Sequence, residues 1–488
     1  MAFLIGGANS AADTGYNVAN SCRFDDSASH YLTKDQSSGG SARTFTWSGW
    51  AKLADTNNSK YLFSDGTASN TSVFININSD DVIDCRAYTS GTKNWDIKSS
   101  NRFRDPSAWY HFVVRVDTTQ GTANDRVRVY INGSEIAYGT QTMPDQNYDT
   151  PVNSSSGTHR ISMDRDTPSA GASHCGYISE VHFVDGASLA PASFAETDED
   201  SGIWKPKNCK ADLTYGTNGY FLEFKASAVG SGSASTIGAD TSGNTNHFDS
   251  VGLAVTDQCT DTPTNNFCTL NPLANALTNP ITLAEGNLKA TGDSDSWEQV
   301  SSTLGSQNGK WYWEAKLSEL EGDDAGEDYA HIGILNDFAV SSGALESYFG
   351  HAGSGIAYGK GQDATIYHTG GSDTSYGTTQ TDDDIISVAL DLTNNFIYFA
   401  KNGTWMDYSS ATGDPTSGAT GTGGFAITAS KLYLPGVACY NSTWEMNFGN
   451  PPYAISSGNA DAAGYGNFEY APPSGYYALC TKNLAEFG

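Results

Sequence analysis

Carboxylates are concentrated in one short segment of the sequence, SELEGDDAGED at 318–328. Glu319 and Glu321 are two residues apart, so on a strand their side chains would share a face. A glycosidase needs two carboxyl groups roughly 5 to 10 Å apart, and this is the candidate pair that the sequence offers. The glycines of the segment interrupt any regular strand, so a solvated acidic loop is the simpler interpretation.

The same segment is the densest source of oxygen ligands in the chain. Calcium takes about six to eight oxygens, and the weak calcium candidates here are Asp323, Asp324, Glu327 and Asp328. Asp293 and Asp295 imitate half of an EF-hand loop, but no glycine or distal glutamate follows in register. We expect no obligatory cofactor or metal, with calcium as the open alternative.

No nucleophile or phosphate-binding motif accompanies these carboxylates. The chain has no G-x-S-x-G and no Walker-type loop, and GSGIAYGKG at 353–361 lacks the dinucleotide spacing. His111 and His182 lie in strand patterns, where packing or hydrogen bonding explains them better than metal binding. We therefore expect that the protein is not an enzyme.

Aromatic side chains are better candidates for a binding surface. Trp47, Trp50, Trp109 and the residues like them in strand patterns are expected to pack in the cores. Aromatic residues in expected loops could instead stack on sugars or anchor a protein contact. The candidate binding residues of this kind are Tyr348, Phe349, Tyr367, Tyr376, Trp405 and Tyr408.

All these residues belong to a chain dominated by short strands. In VRVYI (127–131), Val127, Val129 and Ile131 alternate with polar positions, as in a strand with one buried face. No segment carries a 3.6-residue apolar stripe over three turns. The same alternation recurs at 44–53, 72–77, 109–116, 177–184, 310–317, 385–392 and 444–449. The sequence predicts an all-β protein.

Composition excludes several classes of partner. Lys and Arg number 26 against 55 Asp and Glu, and a formal charge of −29 disfavours nucleic acid and anionic membranes. No apolar stretch reaches about 20 residues, so we expect no membrane span. The start, MAFLIGGANS, does not have the pattern of a signal peptide. Eight Cys without a C-x-x-C are expected to be reduced, buried thiols.

Shifts in composition divide the chain into five predicted parts. They are an N-terminal arm (1–20), a strand-rich block (21–205), a linker with one or two strands (206–275), a second block (276–452) and an extended tail (453–488). Asn132-Gly133 and Asn402-Gly403 each predict a type I′ hairpin, because that turn needs positive φ at both central residues. When the two blocks are aligned on these Asn-Gly pairs, they share no other convincing sequence identity. A shared architectural rule therefore fits better than a recent duplication.

The first block resembles the laminin-G-like, concanavalin-A-like family. The matching phrases are CRFDDSASHYL (22–32), FTWSGWAKL (45–53), WYHFVVRVD (109–117), VRVYINGSEI (127–136) and GYISEVHFVDGASL (176–189). The resemblance implies two curved antiparallel sheets packed face to face. Families of this shape often bind glycans, sometimes through calcium.

The second block resembles the SPRY domain, which is another two-sheet sandwich. The matching phrases are GKWYWEAKL (309–317), HIGIL (331–335), DDDIISVALDLTNNFIYFAKNG (382–403), LPGV (434–437) and NFGNPPY (447–453). The resemblance implies protein recognition through variable loops at one end of the sandwich. The expected fold is therefore two concanavalin-A-like antiparallel β-sandwiches joined by an irregular linker.

The remaining phrases resemble those of tailed-phage virion proteins, especially marine, cyanophage-like ones. They are NGYFLEF (218–224), DTPTNNFCTLNP (261–272) and YAPPSGYYALCTKNL (470–484). The resemblance implies a tail or capsid-surface protein, assembled in the host cytoplasm, that binds a host cell-surface glycan or protein. It also implies a homo-oligomer whose arm and tail contact other virion proteins. The alternatives are a sandwich-fold glycan hydrolase and a purely architectural decoration protein.

Overall fold

A computed structural model of the protein gives the architecture. It describes residues 4–5, 15–26, 29–55, 58–68, 70–164, 173–199, 201–276, 279–292, 296–320, 330–336, 349, 357–369 and 372–488. Among these residues, no helix has both the length and the apolar character that a membrane span requires.

The described elements are almost all strands. Those of the first half are β1 (Leu4–Ile5), β2 (Ser21–Phe24), β3 (Tyr31–Asp35), β4 (Thr44–Leu53), β5 (Lys60–Ala68), β6 (Thr71–Ile77), β7 (Ile83–Thr89), β8 (Thr92–Ser99), β9 (Trp109–Asp117), β10 (Val127–Ile131), β11 (Ser134–Glu135), β12 (Tyr138–Thr142), β13 (Thr158–Ile161), β14 (Gly176–Asp185), β15 (Ala195–Thr197), β16 (Trp204–Pro206), β17 (Tyr220–Leu222), β18 (Asp249–Val251) and β19 (Gln258–Cys259).

The second half continues with β20 (Leu270–Asn275), β21 (Thr282–Ala284), β22 (Lys289–Gly292), β23 (Glu298–Ser302), β24 (Leu304–Gly305), β25 (Lys310–Leu320), β26 (Ala330–Asn336), β27 (Ala357–Gly361), β28 (Thr365–His368), β29 (Ser372–Ser375), β30 (Ile385–Asp391), β31 (Phe396–Lys401), β32 (Thr404–Trp405), β33 (Asp407–Tyr408), β34 (Ala411–Thr412), β35 (Phe425–Ala426), β36 (Tyr433–Cys439), β37 (Ser442–Asn447) and β38 (Tyr477–Ala478). One α-helix, α1 (Thr481–Phe487), and 3₁₀ turns at Ala123–Asp125, Pro191–Ser193, Lys210–Asp212, Val255–Asp257 and Gly418–Thr420 complete the described elements.

The chain folds as two compact units, each a two-sheet sandwich. The first sandwich is Ala11–Thr264; the second is Asn265–Gly488 together with β1. In the first, sheet S1 has the order β11-β10-β9-β4-β14-β2-β19, with β17 beside β14, and sheet S2 the order β12-β8-β7-β6-β5-β13-β3-β18. In the second, sheet S3 is β20-β23-β36-β26-β27-β28-β29 and sheet S4 is β21-β22-β37-β25-β30-β31-β32, with β35 and β38 added. The predicted all-β fold with two sandwiches is confirmed.

Strand alternation builds both cores as the sequence predicted. In S1, Val129 pairs with Val114, which pairs with Trp47, and all three side chains are buried. In S4, Leu317 pairs with Trp444 in the same way. A fully buried indole removes about 200 Å² of mostly apolar surface from water, so these residues dominate the packing.

Residues 206–264, predicted as part of a linker, instead complete the first sandwich. Strand β17 pairs with β14 through Val181 and Leu222, and Ile237 and Phe248 are fully buried in the core. The carboxylate of Asp240 accepts backbone N–H groups of Phe221, Ser242 and Asn246 at 2.8 to 2.9 Å. A Gly- and Ser-rich stretch can thus be ordered by side-chain-to-backbone hydrogen bonds, which composition does not reveal.

The tail also packs on its own sandwich. Phe468, Tyr476 and Cys480 are buried around Tyr312 of S4, and β38 pairs in parallel with β25. The segment then ends in α1. The expectation that arm and tail contact other virion proteins stays a prediction.

Both Asn-Gly turns have the expected positive φ values. Asn132 and Gly133 have φ of 47° and 79°, and Asn402 and Gly403 have φ of 49° and 78°. The Asn132 Oδ1 accepts the backbone N–H of His111 at 2.8 Å. The Asn402 Oδ1 accepts that of Ile385 at the same distance. The two hairpins are therefore built in the same way in different sandwiches.

The eight cysteines are reduced thiols and all are buried, as predicted. Burial raises the pKa of Cys85 and Cys439 to about 12, so these side chains stay protonated near neutral pH.

Candidate functional site

Several of the predicted site residues lie outside the described part of the chain. They are Tyr348, the calcium candidates Asp323, Asp324, Glu327 and Asp328, and Glu321 of the carboxylate pair. Glu319 is described: it is exposed on β25, where its Oε2 accepts the hydroxyl of Thr443 at 3.4 Å.

Two predicted binding aromatics are core residues. Phe349 and Tyr376 are fully buried, although both were expected in exposed loops. Phe349 lies so close to Gly359 that a Cβ there would be 2.5 Å from the ring. The Tyr376 hydroxyl donates to the Gly423 carbonyl at 3.2 Å. Loop segments that fold back on a sheet bury their aromatic residues, and strand periodicity does not show this.

The other three predicted aromatics are half-buried, and each packs against a different buried group. Tyr367, on β28 of S3, stacks on the buried His331 with ring centroids 4.5 Å apart. Trp405, on β32 of S4, packs against the buried cluster that includes Tyr312 and Phe468. Tyr408 stacks on Tyr376 at 5.5 Å.

A serine–histidine contact in S1 superficially resembles a nucleophile and its base. Ser48 Oγ lies 2.8 Å from His111 Nε2, and the indole of Trp204 donates to His111 Nδ1 at 3.0 Å. Because an indole N–H only donates, Nδ1 is the acceptor and Nε2 carries the proton in the neutral ring. Burial lowers the pKa of His111 to about 3, which keeps the ring neutral. His111 therefore donates to Ser48 and cannot activate it as a base.

The outer face of S2 combines aromatic and charged side chains. Val73 and Ile75 of β6 point into the core, so Phe74 between them lies on the opposite face. Its ring centroid is 5.6 Å from that of Tyr61 and 6.3 Å from that of Tyr88. All three rings are half-buried. We call this surface the Phe74 face; it comprises Tyr61, Phe74, Asp84, Arg86, Tyr88, Lys93, Asp96 and Lys98.

The charged residues of the Phe74 face form one ladder across β7 and β8. Arg86 pairs with Phe74 across the strands, with its guanidinium 5.9 Å from the ring centroid. The guanidinium contacts Asp84 Oδ2 at 2.5 Å and Asp96 Oδ1 at 3.2 Å. Lys98 lies 3.5 Å from Asp84, and Lys93 contacts Asp96. These ion pairs fix the side chains next to the rings.

The pKa values of the two aspartates of the ladder are shifted in opposite directions. Burial raises the pKa of Asp84, against the opposing effects of Arg86 and Lys98. Burial also acts on Asp96, but hydrogen bonds from Lys93 and the charge of Arg86 outweigh it and lower its pKa. The difference follows from exposure, since the Asp84 side chain is 3% exposed and that of Asp96 is 12% exposed.

One oxygen of Asp84 has no hydrogen-bond donor among the described residues. Oδ2 forms the ion pairs with Arg86 and Lys98, whereas Oδ1 is buried and has no partner among the described residues. Leaving a buried acceptor unsatisfied costs about 1 to 3 kcal/mol. Because Oδ1 is buried, a ligand cannot reach it; the polar groups that the Phe74 face presents beside its three rings are those of Arg86, Lys98 and Lys93, whose side chains are 23%, 28% and 41% exposed.

The sequence contains one indication of this face, in the alternation of side chains along β6. SVFINI predicts a strand, and in that strand Phe74 points to solvent between two core residues. The partners Asp84, Arg86 and Asp96 come from other strands. Their convergence depends on strand register, which periodicity alone does not give.

Comparisons with known proteins agree with this architecture. Residues 25–191, about a third of the chain, match the family profile described as the concanavalin A-like lectin/glucanases superfamily, of the laminin-G type. No curated protein matches the chain.

Matches to solved structures each cover about a third of the chain. The SPRY domain of human HERC1 is 15% identical, with 36% of this chain and 96% of that chain covered and a TM-score of 0.25. The SAP-like pentraxin of Limulus polyphemus is 18% identical, with 36% and 80% covered and a TM-score of 0.26. The TRIM65 PSpry domain is 14% identical, with 37% and 92% covered and a TM-score of 0.26. The chain is an all-β protein of two sandwiches, and residues 25–191 of the first match the concanavalin-A-like profile.

Proposed function

We propose that this protein is a phage virion component that attaches the particle to its host by binding a cell-surface glycan on the Phe74 face. The observation that carries the binding function is the grouping of three half-buried rings with the partly exposed cations Arg86 and Lys98, which ion pairs hold in place. The phage assignment rests on the resemblance of the connecting phrases at 218–224, 261–272 and 470–484.

The chemistry of the Phe74 face suits a sugar. A pyranose ring has an apolar C–H side that can lie on Phe74, Tyr61 or Tyr88, and hydroxyl oxygens that can accept hydrogen bonds from the cations of the face. Arg86 and Lys98 are donors for the ligand's oxygens. Because the ion pairs already hold these side chains, little conformational entropy would be lost on binding.

Hydrolysis of the glycan is the second candidate function. The raised pKa of Asp84 and the lowered pKa of Asp96 are the opposite shifts that an acid and its partner carboxylate need. Against this, Arg86 contacts both carboxylates, at 2.5 and 3.2 Å, so neither is free to exchange a proton with a substrate. We expect no new reducing ends when host polysaccharide is incubated with the protein.

A binding experiment with the full chain tests the proposal. Purified protein should bind intact host cells and their extracted surface polysaccharide, and Phe74→Ala should weaken both by about tenfold, the value of one aromatic contact. Tyr408→Ala is the matched control, since it removes an aromatic ring from the second sandwich. If the protein does not bind host cells, the adhesion function is wrong, and the architectural alternative takes its place.

A further inference from the structure

The polar groups that the Phe74 face turns to solvent are cations. The side chains of Arg86, Lys93 and Lys98 are all more exposed than those of Asp84 and Asp96, the two aspartates that bind them. Each aspartate therefore lies closer to the sheet than its cations, which partly cover it. A ligand that approaches this face from solvent meets ammonium and guanidinium groups before it meets a carboxylate.

The register of S2 extends the positive surface to the other side of the Phe74 ring. Phe74 pairs with Arg86 on one neighbouring strand and with Ser64 on the other, and Ser64 pairs in turn with Arg160 of β13. Residues paired directly across antiparallel strands point to the same face, and neighbouring strands are about 4.8 Å apart. Phe74 thus has one arginine on the adjacent strand and a second, half-buried arginine two strands away on the opposite side.

The charges of this surface differ in balance from those of the whole chain. Among the described residues, four cations and three carboxylates belong to the Phe74 face or lie next to it, which leaves one positive charge in excess. The complete sequence has 26 basic against 55 acidic residues, so the usual excess of acid is reversed here. The seven residues are Arg86, Lys93, Lys98, Arg160, Asp84, Asp96 and Asp164, the last of which faces the Tyr61 hydroxyl.

Lys98 has donors to offer to an outside anion. An ammonium group carries three N–H donors, yet Lys98 makes no hydrogen bond with a described residue, and its contact with Asp84 Oδ2 is an ion pair at 3.5 Å. The guanidinium of Arg86 contacts the same oxygen at 2.5 Å, so the two cations are neighbours. An anionic group placed over them would accept hydrogen bonds from both, while Asp84 holds both from the side of the sheet.

We propose that the glycan bound on the Phe74 face is acidic, with a sugar ring on Phe74 and a carboxylate or sulfate group bound by Lys98 and Arg86. This inference rests on the proposed function and adds the chemical class of the ligand. The formal charge of −29 repels a dense polyanion, but at physiological ionic strength that repulsion is screened beyond about 8 Å. The face therefore suits a glycan whose acidic groups are few and separated.

Binding of the full chain to chemically modified polysaccharide tests the inference. The probes are host surface polysaccharide, the same material after reduction of its carboxyl groups to alcohols, and the same material after removal of its sulfate esters. At least one treatment should weaken binding about tenfold, the value of one charge-assisted hydrogen bond, and that treatment identifies the acid. Equal binding of all three preparations overturns the inference and leaves the adhesion function in place. If the untreated polysaccharide does not bind, the adhesion function itself is wrong.

Lys98→Gln tests whether the acidic group is bound on the Phe74 face. It should weaken binding of the untreated polysaccharide about tenfold and leave binding of the treated, weaker-binding preparation unchanged. Lys316→Gln is the matched control, because Lys316 of S4 is 27% exposed and forms an ion pair with Asp383 at 2.7 Å. It should bind as the native protein does. Native affinity in Lys98→Gln, or an equal loss in Lys316→Gln, overturns the inference.

Salt dependence keeps the test decisive if Lys98→Gln does not fold. Raising the ionic strength from about 0.1 M to about 1 M shortens the screening length from about 10 Å to about 3 Å. The affinity of the native protein for the untreated polysaccharide should then fall several-fold, whereas its affinity for the treated, weaker-binding preparation should change little. An affinity for the untreated polysaccharide that does not depend on salt would equally overturn the inference.

Discussion

The ring of Tyr470 packs directly on Gly403 at the tip of the second hairpin. A Cβ on Gly403 would lie 2.5 Å from the ring, and in the first sandwich a Cβ on Gly133 would lie 2.9 Å from the ring of Trp204. Each Asn-Gly pair therefore does two things: it supplies the turn, and it makes room for an aromatic side chain from a later segment. The Asn-Gly pair thus recurs in the sequence because both sandwiches use the same kind of hairpin.

Gly403→Ala and Gly133→Ala should each destabilise their sandwich by about 2 to 4 kcal/mol, from left-handed strain together with the displaced ring. Gly91→Ala is the matched control, because Gly91 has a φ of 80° and a Cβ added to it would meet no atom within 4 Å. It should lose only about 1 to 2 kcal/mol. If denaturant unfolding gave equal losses of unfolding free energy at all three sites, the packed rings would not contribute to the cost.

Glu314→Gln should loosen the C-terminal segment from S4. The buried Glu314 carboxylate accepts the backbone N–H groups of Tyr470 and Glu469 at 2.8 and 2.9 Å and the Tyr312 hydroxyl at 2.8 Å. An amide would turn an N–H toward one of these donors, at a cost of about 1 to 3 kcal/mol. Limited proteolysis within 454–475 should accelerate, and Tyr312→Phe, which keeps both acceptor oxygens, should change it less. Unaltered cleavage of Glu314→Gln would contradict this role.

The stability of the first sandwich should depend on pH through Glu180. Its pKa is raised to about 8 in the folded protein. The native state therefore binds the proton more tightly than the unfolded chain, and the free energy of unfolding should fall as pH rises from about 4.3 to about 8. Urea unfolding followed by tryptophan fluorescence measures this. Glu180→Gln should remove much of the slope, and a stability that rises over this range because of Glu180 would reverse our sign.

The thiols should not react in the native protein. All eight cysteines are buried and none is in a disulfide, and buried thiols present little thiolate to a reagent. A thiol-specific chromophore should therefore label none of them within minutes under native conditions and all of them after denaturation. Rapid labelling of the native chain would show that a cysteine is accessible.

The sequence predicted the features that depend on residues close together in the chain. Alternation identified VRVYI as a strand, and the positive φ of Asn132 and Asn402 follows from the Asn-Gly pairs. The order imposed on 206–264 by Asp240 was not predictable, because it arises from hydrogen bonds to backbone groups that no apolar pattern marks. The Phe74 face was not predictable for a related reason. Phe74, Asp84 and Asp96 meet through the pairing of three strands, which is a property of register.

The binding isotherm of the full chain and its Phe74→Ala variant with host surface polysaccharide tests the central claim most directly. We predict saturable binding by the native protein, about tenfold weaker binding by Phe74→Ala, and native affinity for Tyr408→Ala. Thermal unfolding of Phe74→Ala should remain close to that of the native protein, since the Phe74 ring lies outside the core. Native affinity in a folded Phe74→Ala variant would contradict the account.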